Sequence, residues 1–253
     1  MQLIRIEDAE RVRTITFARP DVLNAFNTAL YDGCADGLRR AEEDDGIGAV
    51  VLTGEGRAFS AGQDLAEMQR LAGDRSAPAA GGGFPALLEV LQRFPKPLLA
   101  AVNGLGVGFG FTVLAHCDLV LVDAGARVKA PFVELGVAPE AGSSYLFPLR
   151  MGWQRAAHAL FTAEWLSAED LVASGLALRV CPAGTVVEET TALARRIATF
   201  PLASLVATKQ LMLASQQPLV ADARRREDGA FSVLLGGAAN ASALSAFLGD
   251  DGA

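Results

Sequence analysis

Three short segments of the chain combine small residues with a polar group, which is the composition of a turn that binds a ligand. They are residues 57–65 (RAFSAGQDL), 102–110 (VNGLGVGFG) and 134–144 (ELGVAPEAGSS). In the first, small residues at 60–62 would allow a tight turn into a helix, whose first N–H groups would then point outward. Such N–H groups are positively polarised by the helix dipole and could hold a developing negative charge. The same pattern also fits an ordinary turn from a strand to a helix, with Asp64 as the cap.

The second segment has a glycine at every second position, which would let a ligand approach the backbone closely. Its pattern is G-x-G-x-x-x-G, because Phe109 and Phe111 occupy the positions where a dinucleotide-binding motif needs its last glycine. The segment also does not follow the first strand of a βαβ unit, where that motif belongs. A nicotinamide-dependent enzyme is therefore a disfavoured alternative.

The third segment places Glu140 among small and apolar residues, just before a predicted helix. A carboxyl group in such surroundings would be partly desolvated, which raises its pKa and suits it to proton transfer. The alternatives are a solvated glutamate in a loop and a carboxylate stabilised by the start of the helix. Glu140 is thus the candidate for acid–base chemistry.

The composition argues against several other kinds of site. The chain has 253 residues with 22 basic and 29 acidic side chains, and its net charge of −7 disfavours a nucleic-acid or anionic-membrane surface. Three widely spaced cysteines and two histidines disfavour a disulfide framework, a metal site and a Ser-His-Asp site. Residues 1–17 lack the apolar run of a signal peptide, and no membrane span is evident, so the sequence predicts a cytoplasmic protein.

Alternating strands and helices must position these segments. Residues 2–7 and 11–18 alternate apolar and polar side chains, as in a hairpin. Residues 73–83 (GDRSAPAAGGG) are predicted to form a mobile loop. The order of elements predicts an α/β core with buried strands over residues 1–182. The other predicted strands cover 48–53, 98–102 and 118–122, and the helices cover 27–43, 65–71, 84–94 and 108–116.

Beyond the core, the pattern is almost wholly helical, which predicts a second region over residues 183–253. Thr185 and Glu188 have the spacing of a capping box at the start of its first helix. Within the core, His116 is predicted to be a buried structural residue. Asp118 is predicted to cap or pair near the same turn.

Taken together, the three segments resemble the enoyl-CoA hydratase/isomerase (crotonase) family. The similarity covers essentially the whole chain and includes residues 19–26 (RPDVLNAF), 94–97 (FPKP), 103–104 (NG), 117–118 (CD) and 207–211 (ATKQL). It implies a crotonase-type ββα spiral core with a C-terminal helical region, and an acyl-CoA thioester as substrate. It implies no cofactor besides the coenzyme A of that substrate. It also implies a homotrimer or a dimer of trimers, with the C-terminal helices at the interface.

The resemblance further implies that the enzyme stabilises a thioester enolate in an oxyanion hole, made of the backbone N–H groups of Gln63 and Phe109. Hydratases of the family use two glutamates on a water molecule, but the matching positions here are Thr112 and Phe132. Glu140, within PEAGSS, instead matches the glutamate of Δ3,Δ2-enoyl-CoA isomerases. The resemblance thus implies an isomerase in which this glutamate moves a proton from C2 to C4. The alternatives are an atypical hydratase, another reaction of the family, and a non-catalytic acyl-CoA binder.

The resemblance also implies which residues contact the substrate. Arg57 and Lys209 are the candidates for the CoA phosphates, Lys209 from a neighbouring subunit, and the alternative for each is a plain surface charge. Phe109 and Phe132 would line a dry acyl pocket, with core packing as the alternative. The expected contacts are Val22, Asn24, Ala25, Arg57, Ala58, Phe59, Ala61, Asp64, Leu65, Gly108, Thr112, Phe132 and Lys209.

Overall fold

The structure is a computed structural model that describes residues 3–67 and 82–249. In chain order its strands are β1 (Ile4–Ala9), β2 (Val12–Phe17), β3 (Ala49–Gly54), β4 (Ala58–Ser60), β5 (Leu98–Val102), β6 (Leu105–Val107), β7 (Leu119–Asp123), β8 (Arg127–Lys129), β9 (Leu166–Ser167) and β10 (Arg179–Cys181). The predicted hairpin is confirmed, because β1 and β2 pair antiparallel. Its turn residues Glu10 and Arg11 have φ angles of 50° and 64°, the backbone of a two-residue type I′ turn.

The larger of the two sheets has the strand order β1-β2-β3-β5-β7-β10, and every pairing after the hairpin is parallel. All residues of β3 and β5 are buried, as expected for parallel strands that are covered on both faces. Successive side chains point to opposite faces, so one face joins the large apolar core. The other face packs against the helix at 186–198 in a smaller cluster.

The smaller sheet has the order β4-β6-β8-β9, with β4, β6 and β8 parallel and β9 antiparallel. Each of its first three strands follows a strand of the larger sheet after a turn of two or three residues. The chain therefore climbs through successive pairs of strands, each pair followed by helical structure. This arrangement confirms the expected ββα core and brings the turns after β4 and β6 side by side.

Ten helices have both ends within the described residues. They are α1 (Thr28–Glu43), α2 (Phe84–Arg93), α3 (Phe109–Thr112), α4 (Ser143–Met151), α5 (Trp153–Thr162), α6 (Ala168–Ala173), α7 (Val186–Ala198), α8 (Leu202–Ala214), α9 (Gln217–Leu234) and α10 (Ala238–Gly249). Asn27 caps α1 through its side chain, which accepts the N–H of Leu30 at 2.9 Å. The helix predicted at 108–116 consists of α3 and a 3₁₀ turn, Val113–His116. Residues 65–67 are helical, while the rest of the helix predicted at 65–71 and most of the loop predicted at 73–83 lie outside the described residues.

The C-terminal region is helical, as predicted, but its predicted capping box is wrong. Thr185 adopts helical backbone angles, and no side-chain hydrogen bond caps α7 there. Its hydroxyl lies 2.9 Å from the carbonyl oxygen of Pro182 and 3.1 Å from Glu189, one position beyond the predicted partner. Because α9 packs against α2 and α4, this region contacts the core directly. A division of the chain at residue 182 stays a prediction.

No single described helix is long and apolar enough to cross a membrane. Two bent pairs, α7 with α8 and α9 with residues 238–246, reach that length and apolarity only together, across bends of 107° and 80°. Within residues 3–67 and 82–249, no group of three His, Cys, Asp or Glu side chains is placed to hold a metal ion.

Candidate active site

Two backbone N–H groups, those of Gln63 and Phe109, lie in the adjacent turns that follow β4 and β6. Gly62 in the first turn has a φ of +84°, and a Cβ there would lie 2.5 Å from the Val107 carbonyl oxygen and 3.2 Å from the Phe109 nitrogen. The two turns thus touch at a position where only glycine fits. In the described part of the chain, neither of the two N–H groups donates to a backbone or side-chain acceptor. Both remain available to a negatively charged oxygen.

Ser60 holds the first of these turns in shape from within the core. Its hydroxyl accepts the N–H of Gly62 at 3.0 Å and donates to the Asn24 carbonyl oxygen at 2.9 Å. On the other side, Phe26 accepts the N–H of Asp64 at 2.9 Å and donates its own N–H to Gly62. These bonds occupy the groups around Gln63 and leave its N–H pointing away from them.

Glu140 is the buried carboxyl group of the site. Its Oε1 accepts a hydrogen bond of 2.6 Å from the Thr112 hydroxyl, while its Oε2 is shielded from solvent and has no partner among the described residues. The pKa of Glu140 is raised to about 8, chiefly by burial; the Thr112 bond opposes this increase and the nearby charge of Glu227 contributes to it. A carboxyl group with such a pKa exchanges protons readily near neutral pH.

The turn that carries Glu140 has unusual backbone geometry. The next two residues, Ala141 and Gly142, have φ angles of 62° and 74°. Buried polar groups hold them in place: the His116 imidazole Nε2 lies 2.7 Å from the Ala141 carbonyl oxygen, and Glu227 accepts the N–H of Gly142 at 2.6 Å. The predicted structural role of His116 is confirmed, and burial lowers its pKa to about 4, which keeps it neutral.

An aromatic cluster backs the site. The ring of Phe109 packs edge-to-face against Phe26, Tyr31 and Phe84 at centroid distances of 5.0–5.6 Å. The Tyr31 hydroxyl donates to Oε1 of Gln63 at 2.9 Å. Burial raises the pKa of Tyr31 well above its usual value, and the charge of Glu140 adds to this shift. Tyr31 therefore lies close enough for the charge of Glu140 to affect its pKa.

The structure brings some of the predicted site residues together and places others in the core. The structure brings Gln63, Phe109, Thr112 and Glu140 into one region, since Thr112 ends the short helix that Phe109 begins. Phe132 is 5% exposed and belongs to the large apolar core, so the packing role holds for it. Sequence reasoning missed two residues, Tyr31 and Glu227. No local motif marks either one, because Tyr31 reads as part of an amphipathic helix and Glu227 is 85 positions from its partner Gly142.

Four of the expected substrate contacts have side chains that are shielded from solvent. Asn24, Ala58, Phe59 and Thr112 are at most 1% exposed. Asn24 has a φ of 57°, and its side chain bonds Arg19, Glu55 and the Ala58 carbonyl oxygen at 2.8–2.9 Å. These bonds make its side chain a support of the loop at 19–26, because an amide with all its bonds made inside the protein offers none to a ligand. Contact of CoA with the backbone of this loop, as the family resemblance implies, stays a prediction.

Other expected contacts remain open to a ligand at the surface. Arg57 is exposed, and Val22 is 45% exposed. Asp64 is paired with Arg19 at 3.1 Å and caps the helical turn by accepting the N–H of Glu67, as the simpler interpretation of its position expected. Arg19 also donates to the Ala25 carbonyl oxygen, so the loop and the turn are tied together. The remaining predicted contacts, which are partly exposed or glycine, are Ala61, Leu65 and Gly108.

The predicted contact of Lys209 with a CoA phosphate is wrong for the chain as it stands. Lys209 is 6% exposed, and its ammonium group lies 2.7 Å from the Asp118 carboxylate and 2.8 Å from the Lys96 carbonyl oxygen. Asp118 also accepts the N–H of Leu98 at 2.7 Å. Removing Lys209 from this network would leave the partly buried Asp118 carboxylate without its counter-ion, which is costly. Lys209 therefore anchors α8 to the core.

The chain matches known proteins over nearly its whole length. A family model described as enoyl-CoA hydratase/isomerase matches residues 7–248. The chain is 32% identical to 2,3-dehydroadipyl-CoA hydratase of Escherichia coli (strain K12) over 98% of this chain and 96% of that protein. It is 36% identical to enoyl-CoA delta isomerase 2 of Rattus norvegicus over 79% of this chain and 52% of that protein.

A solved structure shows the same architecture. An enoyl-CoA hydratase/isomerase from Pseudoalteromonas atlantica T6c superposes with a TM-score of 0.94 at 31% identity, covering 98% of both chains. Relatives at similar identity are named as hydratases, isomerases and dehalogenases. The likeness therefore leaves the reaction to be argued from the site.

Proposed function

The chain belongs to the enoyl-CoA hydratase/isomerase family, and we propose that it acts within it as a Δ3,Δ2-enoyl-CoA isomerase. The observation that carries this proposal is the environment of Glu140. It is a buried carboxyl group with a pKa raised to about 8, bonded to the residue that stands where hydratases have a glutamate, Thr112. One such group can both accept and return a proton.

In the proposed reaction, ionised Glu140 removes a proton from C2 of a 3-enoyl-CoA. The electrons of the broken C–H bond delocalise into the thioester and the double bond, which gives a dienolate. Its oxygen lies between the N–H groups of Gln63 and Phe109, and each such donor typically lowers the barrier by about 3–4 kcal/mol. Glu140 then delivers the same proton to C4, so the double bond moves to C2–C3 and the enzyme returns to its starting state.

Hydration is less well supported, because it needs a second group to position water and to supply a proton. Phe132 is apolar, and Thr112 already donates its hydroxyl to Glu140. Glu134 is exposed, and its carboxylate is paired with Lys129 at 2.8 Å. Since neither position 112 nor position 132 carries the carboxylate that hydratases have there, proton transfer is favoured over the addition of water.

The experiment is to incubate the purified protein with 3-hexenoyl-CoA and, separately, with crotonyl-CoA. We expect isomerisation of the first and little hydration of the second. Glu140→Gln should lower the isomerisation rate by about 10²–10⁴-fold, the usual contribution of a positioned acid–base group. The control is Glu134→Gln, which removes a nearby carboxylate outside the site and should leave the rate unchanged.

Two results would contradict the proposal. Efficient hydration of crotonyl-CoA that survives Glu140→Gln would show a different reaction. Binding of acyl-CoA esters without turnover at several chain lengths would show a non-catalytic binder.

The proposal extends to assembly as a homotrimer or a dimer of trimers. Helix α8 supports it, because Leu211 and Met212 are 78% and 63% exposed while Lys209 is the buried residue of that helix. A helix that turns its apolar side chains to solvent is normally covered by a partner. We also propose that coenzyme A enters only as part of the substrate.

A further inference from the structure

We propose that Glu227 is a positioning residue for Glu140, holding from helix α9 the turn that carries the catalytic carboxylate. This inference rests on the proposed role of Glu140 as the proton shuttle. Glu227 is 5% exposed, and its two carboxylate oxygens accept the N–H groups of Gly142 at 2.6 Å and Ser144 at 2.8 Å. A buried glutamate therefore binds the backbone within a few residues of the reacting group.

The turn needs such an anchor because of its own backbone. Ala141 and Gly142 both have positive φ angles, which costs free energy for a residue with a side chain. Helix α4 begins immediately after them, and no side chain of its own N-cap residue bonds its first N–H groups. Those groups need acceptors, and the helix dipole favours a negative one. Glu227 supplies both oxygens and the charge.

The other bonds to the turn come from neutral groups. His116 bonds the Ala141 carbonyl oxygen, and the Ser143 hydroxyl donates to the Glu140 carbonyl oxygen at 2.6 Å. Glu227 is the charged group that fixes this backbone within the described chain. Without it, the Glu140 side chain would remain tied to Thr112 at one end only.

The charge of Glu227 also acts on Glu140 directly. Both of its oxygens accept N–H groups, which is the pattern of an ionised carboxylate. Its negative charge raises the pKa of Glu140, as does Asp228 to a smaller extent, while Arg224 on the same helix lowers it. Tyr31, on α1, is neutral, because its pKa is raised by burial and by the charge of Glu140. Removing the charge at 227 therefore lowers the pKa of Glu140.

The experiment uses the full-length protein with Glu227→Gln, assayed for isomerisation of 3-hexenoyl-CoA across pH. Glutamine has the same size, but its NH₂ group faces a donor, so one N–H loses its acceptor. We expect kcat to fall about 10-fold or more with little change in KM, since small displacements of a reacting group are costly. The acid limb of the pH profile should move to lower pH by about 0.5–1 unit. Hydrogen exchange of the Gly142 and Ser144 amides should accelerate at least about 10-fold.

Glu227→Asp is the second variant, because it keeps the charge but shortens the side chain by one methylene. We expect it to lower kcat while leaving the acid limb in place. The matched control is Asp222→Asn, which removes a carboxylate from the same helix that has no bond to the turn and pairs with Arg225 instead. It should change neither the exchange of the turn nor the profile.

Unchanged amide exchange in Glu227→Gln would overturn the proposed anchoring. An equal shift of the acid limb in the Asp and Gln variants would overturn the effect of the charge. A separate result, an active Glu140→Gln variant, would contradict the proposed function. If that variant is inactive and Glu227→Gln keeps wild-type kcat and pH profile, the inference on Glu227 alone is wrong.

Discussion

The hydroxyl of Thr112 moderates the pKa of the proposed base. It donates to Glu140 at 2.6 Å and opposes the larger effect of burial, and the resulting pKa is about 8. A base works in its ionised form, so kcat/KM should rise with pH towards that value and level off above it. The hydrogen bond therefore extends the active range towards neutral pH.

Thr112→Val replaces the hydroxyl by a methyl group of nearly the same size. The ionised form of Glu140 loses its donor, so its pKa rises and the acid limb of kcat/KM moves to higher pH by about 0.5–1 unit. Measuring kcat/KM for 3-hexenoyl-CoA from about pH 6 to about pH 10 checks this shift, because this range extends to both sides of the pKa of Glu140. Thr112→Ser keeps the hydroxyl and should retain the wild-type profile. A limb that stays in place in the valine variant would show that the bond does not act on the base.

The residues of the site differ in how well the sequence alone predicts their positions and roles. The family resemblance indicated Gln63, Phe109 and Glu140, because each lies in a short segment of distinctive composition; the local pattern of each segment alone also fitted an ordinary turn or loop. The motif also indicated Thr112 as a position, but not its bond to Glu140, which joins residues 28 apart. The role of Lys209 was assigned wrongly, because nothing in the sequence of its helix indicates that the ammonium group is buried.

At the scale of elements, the two turns after β4 and β6 form one unit. Their contact depends on the absence of a side chain at Gly62, which lies against Val107 and the Phe109 nitrogen. Two parallel neighbouring strands bring the turns to the same edge of the sheet. The distance between the two proposed N–H donors is therefore determined by strand pairing and not by the turns alone.

Gly62→Ala tests this dependence. The added Cβ must push the two turns apart, so we expect kcat for 3-hexenoyl-CoA to fall about 100-fold, as when an oxyanion donor is lost. The φ of +84° should also cost about 1–3 kcal/mol of stability, measured by chemical unfolding. Gly184→Ala is the control, because its φ is +80° but a Cβ there meets nothing within 4 Å. It should lose stability without losing activity, and an equal loss of activity in both variants would contradict the argument.

Elements with strong periodicity were predicted well, for physical reasons. The hairpin and helix α1 leave an alternating and a helical pattern in the sequence, and the strands at 49–54 and 98–102, buried on both faces, leave short continuous apolar runs. The capping box at Thr185 failed because a cap depends on one dihedral angle, and Thr185 has helical angles instead of extended ones. Such local choices are decided by tertiary packing.

At the scale of the whole molecule, helix α8 differs from a surface helix of a monomer, because it buries a charged side chain and exposes apolar ones. Its buried residue is a lysine paired with Asp118, and its exposed residues include Leu211 and Met212. The pair with Asp118 explains the buried lysine, and the exposed apolar side chains are explained if a second copy of the chain covers them. The family resemblance anticipated a C-terminal interface, whereas the periodicity of α8 did not indicate which side chains form it.

Leu211→Glu combined with Met212→Glu should dissociate the assembly, because two charges would then lie in an apolar contact. We expect light scattering after size exclusion to give three or six times the chain mass for the wild type and a smaller multiple for the variant. Gln210→Glu adds a charge at an exposed polar position of the same helix and should leave the mass unchanged. A monomeric wild type would refute the proposed assembly.

The bond between Gly142 and Glu227 also has a consequence for biosynthesis. The two residues are 85 positions apart, and a nascent chain emerges from its N-terminus. All ten strands of the sheets leave the ribosome before the glutamate does. A partly synthesised polypeptide therefore has the scaffold of the site while the turn at 139–144 still lacks its anchor. Competence for the reaction would therefore arrive only after helix α9 has been synthesised.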